Sequence, residues 1–362
     1  MNTTMKAIVL EAHNTAKMKE IPIPACSKGE ILIRTKAATV CTSDILDMKY
    51  NLFNLSLPIV MGHEAAGIVA AVGEGVTDIA VGDEVAVHPV MPCYKCPSCL
   101  RDLSHLCDEM EHLAFNRPGV FAEYFVTRPD CVRKKPSGVS FPLASLMEPV
   151  CVCLEAINRA KVKPGDRVLI AGDGPFGIMM SKLCASRDPK MIIQTGWNEG
   201  RLKHAASPSF PDIHDTMHEV HQGCSKNALV TTINEKKTPD TARLIMELTQ
   251  GEGVDSAILC VSNPSAVDLC IEMLRSRGTL VIFSALSGKT PVDLLRVHLK
   301  ELTIAGSNND ENFMDDAIRL LSDPVLNLSS IVTHELPFEK WEEAFNMAEH
   351  TVDSCLKVSM VL

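Results

Sequence analysis

Through the first 150 residues, hydrophobic positions come in short runs, each closed by a turn residue. Ile31-Leu32-Ile33-Arg34-Thr35, Ala66-Gly67-Ile68-Val69-Ala70-Ala71-Val72 and Glu84-Val85-Ala86-Val87 are such runs; Lys28-Gly29 and Val81-Gly82-Asp83 are such turns. Many short, alternating or continuous apolar runs between Gly and Pro predict a barrel-like or sandwich-like β domain. The rhythm changes near Pro149. Strand-like Val168–Ala171, Met191–Thr195, Ala257–Val261 and Thr279–Phe283 then alternate with helical patterns over Phe176–Ser186 and Ala266–Arg275. That alternation predicts an α/β region with a parallel, doubly wound sheet. After Leu302–Gly306 the rhythm stops again. A helix is expected over Asn312–Leu321 and a capped amphipathic helix from Pro337 to Phe345. The closing Leu356–Val361 alternates like a strand but has no local partner, so it is expected to return to the first β region. The predicted organisation is 1–149, 150–306 and a returning segment 307–362, with no internal repeat.

Composition narrows the class. The chain has 362 residues, 46% hydrophobic and 22% charged, enough for two domains of ordinary globular type. A formal net charge of −10 argues against nucleic acid as a partner, since phosphate recognition needs a basic face. No uninterrupted apolar stretch reaches the length of a membrane span, so no membrane partner is expected. The N-terminal residues run directly into a strand-like segment without a signal pattern, and 14 cysteines then point to a reducing compartment, the cytosol by default.

The cysteines carry the first chemistry. Cys93, Cys96, Cys99 and Cys107 are close enough in sequence to close a tetrahedral thiolate shell around one zinc ion, a structural site. The competing reading is a disulfide framework, but bridges between cysteines three residues apart are strained and staple little. Cys41 stands apart, upstream of Gly62-His63-Glu64. One Cys, one His and carboxylates from distant positions are the ligands of a zinc that keeps a position open for substrate. Cys151, Cys153, Cys184, Cys260 and Cys270 lie in apolar segments and read as inert core residues.

Gly172-Asp173-Gly174-Pro175-Phe176-Gly177 follows a predicted strand and opens a predicted helix. Glycines there permit a tight turn and close approach of backbone N–H groups to a pyrophosphate at a helix N-terminus. For NAD, the next strand should end in a carboxylate that holds the ribose 2′-OH. It ends instead in Thr195-Gly196, with Arg201 following, which favours NADP; the other reading has Glu199 fill the NAD role from a shifted loop. Val261, Ser262, Ser284 and Ser307 follow strands at their carboxyl ends, where the nicotinamide is expected.

Gly62-His63-Glu64-Ala65-Ala66-Gly67, Gly82-Asp83-Glu84-Val85, the four-cysteine lobe, Glu148-Pro149, Lys163-Pro164-Gly165-Asp166-Arg167-Val168 and the glycine fingerprint together resemble the zinc-dependent medium-chain dehydrogenase/reductase family over nearly the whole chain. The Met-Glu-Pro-Val string around Glu148 is most similar to the polyol (sorbitol-like), threonine and sugar-alcohol-phosphate dehydrogenase branch. The resemblance implies a GroES-like β domain built from 1–149 and 307–362 with a Rossmann domain between. It implies two zinc ions per chain, Cys41 and His63 as catalytic ligands, and Glu64 and Glu148 as direct, exchanging or water-mediated ones. The implied reaction is NAD(P)-linked oxidation of a secondary alcohol (polyol, sugar, sugar alcohol or cyclitol), with amino-alcohol or simple-alcohol oxidation as the alternative. A homodimer or homotetramer acting on a small molecule is the implied state. A more remote reading is a non-catalytic zinc-binding interaction protein on the same fold.

Ser43 is placed to hydrogen-bond the reacting oxygen and pass its proton outward, or it is simply a turn-forming serine at a helix start. Two departures from the family pattern stand out. Leu46 occupies the position where many relatives have a relay histidine, and Glu155 stands where His is common. Glu155 either lines the active site and supplies a carboxylate or is a solvated helix residue. A connection longer than the family's usual one holds His214, His218, His221 and Cys224. On a helix the three histidines would share a face, a conceivable third metal site. Otherwise the stretch is a polar edge element, or it reshapes the adenosine end of the cofactor site.

Overall fold

A computed structural model describes residues 3–205, 213–215, 220–225, 228–286 and 288–362. The chain divides into two compact units. The first comprises Met1–Cys151, Glu311–Ser322 and Val332–Leu362, the second Val152–Asp310 and Asp323–Ile331. The returning segment is therefore not continuous: 307–310 and 323–331 pack with the second unit.

In the first unit the strands run in the order Val132–Lys134, Glu84–Val87, Glu64–Val72, Ile31–Thr39, Lys357–Val361 and Val332–Pro337, with Tyr124–Thr127 also paired to Ile31–Thr39. The alternation visible in sequence is the alternation of burial. Ile31, Ile33 and Thr35 are buried while Arg34 faces solvent. Ile31 and Ile33 join Leu10, Val69, Val85, Phe121, Phe125 and Val358 in one core. Burying each such side chain contributes roughly 1.5–3 kcal/mol. The C-terminal strand does return here: Ser359 pairs with Thr39 and Met360 with Ala38, antiparallel.

In the second unit six parallel strands lie in the order Ala228–Asn234, Met191–Gly196, Arg167–Ala171, Val254–Leu259, Leu274–Ile282, Thr303–Gly306. The central strands Met191–Gly196, Arg167–Ala171 and Val254–Leu259 are buried along almost their whole length, as in a sheet covered by helices on both faces. Their numbering reverses at Arg167–Ala171, which makes the carboxyl end of that strand the place where ligands gather.

Two expectations fail. The His-rich stretch holds no helix among its described residues: Ile213–Asp215 and Val220–Ser225 are antiparallel strands extending the sheet, with His214 opposite His221. A period of two replaces the helical period, so the shared helix face does not arise; His218 lies outside the described residues. The capped helix near Pro337 begins later than expected, as Trp341–His350 after a single tight turn over Phe338–Lys340. Among the described residues, Phe141–Arg159 is long and apolar enough to cross a membrane, but 72% of its apolar window is buried inside the protein.

Candidate catalytic centre and cofactor turn

Strand Ile31–Thr39 leads into Cys41, the extended residue (φ −99°, ψ 152°) that precedes helix Thr42–Tyr50. The Cys41 backbone N–H donates to Asp44 Oδ2 at 2.9 Å, which locks the helix start. The other Asp44 oxygen lies 3.0 Å from His63 Nδ1. One buried carboxylate thus sets the turn that presents the Cys41 thiol and fixes the His63 ring through Nδ1. Nε2 is left facing Ser43 Oγ at 3.5 Å. Burial works against the charged imidazole, but Asp44 outweighs it and holds the His63 pKa well above its ordinary value. Gly62 makes this placement possible: its φ is +87°, and a Cβ there would stand 2.6 Å from Phe121 Cε1.

Glu64 opens the next strand, opposite Thr39, and is fully buried. Its Oε1 accepts from Lys357 Nζ, itself buried on the C-terminal strand. Burial disfavours the Lys357 ammonium, yet Cys41, Glu64 and Glu148 together raise its pKa. Glu64 Oε2 has no partner among the described residues, and neither does Glu148 Oε2. Burial pushes the Glu148 carboxyl up to about 7, with His63 opposing and Glu64 adding to the shift. Ligand atoms of Cys41, His63 and Glu64 lie within 4.8 Å of one another. Glu148 is outside that trio but within electrostatic reach of it. Buried oxygens without donors are costly unless something else satisfies them. A thiol, an imidazole and two acidic side chains around such oxygens fit a divalent cation of zinc type.

A row of rings leads up to this centre. Phe53 stacks on Phe115 (centroids 5.1 Å apart), Phe115 on His112 (4.0 Å), and His112 stands 6.0 Å from His63. Burial, with the charge of His63, lowers the His112 pKa to about 3, so it is a neutral ring.

The four-cysteine lobe is a second cluster. Cys93 Sγ lies 4.0 Å from Cys99 Sγ, and Cys96 Sγ lies 3.8 Å from Cys107 Sγ. Ligands ~2.3 Å from a tetrahedral zinc are ~3.8 Å apart. Backbone N–H groups of Cys93, Cys96, Cys99 and Glu109 point at these sulfurs at 3.3–3.5 Å. The Cys99 N–H is the largest cause of a Cys96 pKa lowered to about 6. None of the cysteines with described side chains is in a disulfide, which removes the competing reading.

In the second unit, Gly172–Gly177 links strand Arg167–Ala171 to helix Pro175–Cys184. A Cβ on Gly177 would run into the Gly172 carbonyl, and buried Gln194 donates to that same carbonyl at 2.5 Å. The turn is therefore held from the neighbouring strand. The space beyond Gly174 is open, and the first N–H groups of a ten-residue helix lie beside it, which fits a pyrophosphate. A Cβ on Gly172 would lie 3.1 Å from Val261 Cβ. Ser262 Oγ donates to Ala285 O, the Ser284 N–H to Leu259 O, and the Ser307 N–H to Ile282 O. These residues all stand at the carboxyl end of the sheet.

One reading left open by the sequence is closed here, and a second meets a new observation. Glu155 is 2% exposed, so the solvated-helix reading fails. It lies two turns from Glu148 on one helix, but in the second unit, and is not part of the Cys41–His63–Glu64 trio. The NADP expectation rested on the lack of an Asp or Glu at the end of the second strand, and none stands there; Asp173 Oδ2, from the glycine turn, lies 2.6 Å from where a Gly196 Cβ would be. Sequence reasoning also missed Asp44, His112, Phe115 and Lys357. Asp44 was signalled by its position three residues after Cys41, whereas nothing local marks Lys357.

Two family models match: an alcohol dehydrogenase GroES-like domain over residues 27–137 and a zinc-binding dehydrogenase over 224–323, together more than half of the chain. Sorbitol dehydrogenase from Bacillus subtilis (strain 168) is 29% identical over 98% of this chain and 96% of its own length. L-threonine 3-dehydrogenase from the same organism is 28% identical over 96% and 95%. Among solved structures, an alcohol dehydrogenase from E. coli CFT073 complexed with NADH has a TM-score of 0.85 at 25% identity, covering 100% of both chains. The conjunction of these matches with the metal centre and the glycine turn places the chain in the zinc-binding, medium-chain alcohol dehydrogenase superfamily.

Proposed function

We propose that this dehydrogenase interconverts a secondary alcohol of the polyol, sugar, sugar-alcohol or cyclitol class and its ketone, using zinc and a nicotinamide dinucleotide. The observation that carries this reading is the convergence of Cys41, His63 and Glu64 within 4.8 Å, with unpartnered oxygens on Glu64 and Glu148. The first unit is then the catalytic domain and the second the cofactor domain. Cys41, His63 and a carboxylate from Glu64 or Glu148 would hold the catalytic zinc, and Cys93, Cys96, Cys99 and Cys107 the structural one, two ions per chain. When bound, zinc supplies a Lewis acid for the substrate oxygen and the nicotinamide a two-electron oxidant.

The chain's own residues do the rest. Asp44 orients His63, and Lys357 neutralises one Glu64 oxygen. Ser43 Oγ, beside His63 Nε2, hydrogen-bonds the substrate hydroxyl and takes its proton outward. With Leu46 in place of a relay histidine, the proton leaves Ser43 without an imidazole at that position. Phe53, Phe115 and the neutral His112 offer a flat apolar wall to the substrate carbon chain. Gly172, Gly174, Pro175, Phe176 and Gly177 hold the pyrophosphate, while Val261, Ser262, Ser284 and Ser307 border the nicotinamide.

A homo-oligomer completes the reading. Leu294, Leu295 and Leu299 are 66–73% exposed on one short helix, near the outer strand Thr303–Gly306. A second copy meeting that edge across a two-fold axis is self-complementary.

The test is an absorbance screen at the reduced-nicotinamide band against polyols, sugars, cyclitols and amino alcohols, with zinc counted per chain. Turnover of a secondary polyol by protein carrying two zinc ions is expected. Threonine as the best substrate would favour the amino-alcohol reading, which the threonine dehydrogenase relative supports. A single zinc retained by an inactive protein would favour a binding module.

A further inference from the structure

Asp173 lies inside the glycine turn, half-buried, at a position where the pyrophosphate-binding pattern requires no particular side chain. Its Oδ2 accepts two backbone N–H groups from the end of the neighbouring strand, Trp197 at 2.6 Å and Asn198 at 2.5 Å. A Cβ built on Gly196 would stand 2.6 Å from both Cγ and Oδ2 of Asp173. That is about as far as a carboxylate oxygen carried on such a Cβ would be. A carboxylate therefore occupies the place normally filled by an acidic residue at the end of the second strand, reached from the first strand. Gly196 is the residue that leaves room for it.

We propose that Asp173 is the residue that recognises the adenosine ribose, accepting from a ribose hydroxyl and excluding a 2′-phosphate, so that the chain prefers NAD to NADP. The inference rests on the nicotinamide-dinucleotide reading above. Oδ2 is committed to the two backbone donors, whereas Oδ1 has no partner among the described residues. The other carboxylates nearby are engaged: Glu199 pairs with Lys237 at 2.5 Å, and Glu235 accepts from the Trp197 indole at 2.8 Å. The competing cations are Lys236, whose Nζ lies 5.3 Å from the centre of the Trp197 ring, and Arg201, on the short helix Glu199–Leu202 that follows Gly196. Like charges at hydrogen-bonding distance repel, so a carboxylate held here disfavours a phosphate at the same place.

The experiment is a binding titration rather than an assay. Wild type and Asp173→Asn are titrated with NADH and with NADPH, following nicotinamide fluorescence, and their melting temperatures are compared. Asn keeps an oxygen for the two backbone donors but loses the charge. Wild type should bind NADH at least about tenfold more tightly than NADPH, and the variant should reduce that ratio to about threefold or less, mainly by gaining NADPH affinity. Gly196→Ala is the independent arm: its Cβ displaces the carboxylate, and NADH affinity should fall. Tighter NADPH binding in wild type, an unchanged ratio in Asp173→Asn, or an unchanged NADH affinity in Gly196→Ala would each overturn the assignment. Binding of neither dinucleotide would show that the nicotinamide reading itself fails, and the assignment with it.

Discussion

In the four-cysteine lobe every ligand comes from one segment, Cys93 to Cys107, separated by 14 positions, and backbone N–H groups of the same segment point at the sulfurs. At the Cys41 centre the proposed ligands and their supports come from four separate stretches, and Glu64 and Lys357 are 293 positions apart. The lobe is only partly buried, while His63, Glu64, Asp44 and Lys357 are almost wholly inaccessible. The lobe closes on itself and needs little of the fold around it. The Cys41 centre exists only when the whole first unit is assembled, and it brings several charges into the core. A local cluster is suited to stabilising; a dispersed one holds ligands at angles that no short loop imposes, leaving a position for chemistry.

Exchanging the two kinds of variant is the strongest way to break this contrast. Cys41→Ser should reduce kcat on the order of 10³-fold or more, since it removes the proposed thiolate ligand of the Lewis acid, while the backbone N–H that donates to Asp44 stays in place and the melting temperature moves by only a few degrees. Cys96→Ser should do the reverse, lowering the melting temperature by on the order of ten degrees, because structural zinc contributes folding free energy directly. Its kcat per folded, zinc-loaded molecule should stay within about threefold of wild type. Calorimetry and steady-state kinetics on both variants decide it; equal effects on both readouts in both variants would dissolve the distinction.

The next largest effect concerns the support of the dispersed centre. Lys357→Met removes the partner of Glu64 while preserving the length of the side chain. A buried carboxylate left without its cation costs about 3–5 kcal/mol. The double variant Lys357→Met with Glu64→Gln should recover most of that, although not activity. Failure of the double variant to regain stability in urea unfolding would mean that Lys357 acts by packing alone.

The same contrast explains what the sequence allowed to be read. The lobe was legible because its spacing is its geometry, and Cys41, His63 and Glu64 were recognisable as ligand types. The doubly wound sheet followed from continuous apolar strands alternating with helices, and the return of Leu356–Val361 from a strand that lacked a neighbour. Lys357 was invisible because its partner is set by strand register, Ser359 opposite Thr39 opposite Glu64, and no local pattern encodes that chain of pairings. Asp173 beside Gly196 was not legible for a related reason. The search for a carboxylate was confined to the end of one strand, whereas the fold delivers one from the strand beside it. The His-rich segment misled because histidine spacing suits a helix face, yet the backbone of its described residues continues the sheet as strands.

The smallest expected effect sharpens the comparison at its electrostatic level. Asp47 is 3% exposed, and its Oδ1 accepts the Phe53 N–H at 2.9 Å. Burial, reinforced by the charge of Asp44, pushes its carboxyl up to about 6 despite the opposing Phe53 N–H and His63. Beside the lobe, Asp130 behaves oppositely: burial raises it, but Arg128 and Tyr94 outweigh burial and hold it below its ordinary range. The two therefore bend stability in opposite directions. A carboxyl raised in the folded state contributes stability fully below its unfolded pKa of about 3.8, and that contribution is lost as pH rises through about 6. Asp130 contributes above its unfolded pKa, and its contribution is lost as pH falls. Asp47→Asn keeps an acceptor for Phe53 and removes the titration. In chelator-treated protein it should flatten the decline of melting temperature between pH 4 and 7, leaving the variant more stable than wild type at pH 7 by on the order of 1–2 kcal/mol. Glu148, raised to about 7, leaves a residual slope of the same sign in both proteins. Parallel pH profiles for the two proteins would show that Asp47 is charged in the folded state, and that the dispersed centre tolerates one more buried anion than its single lysine accounts for.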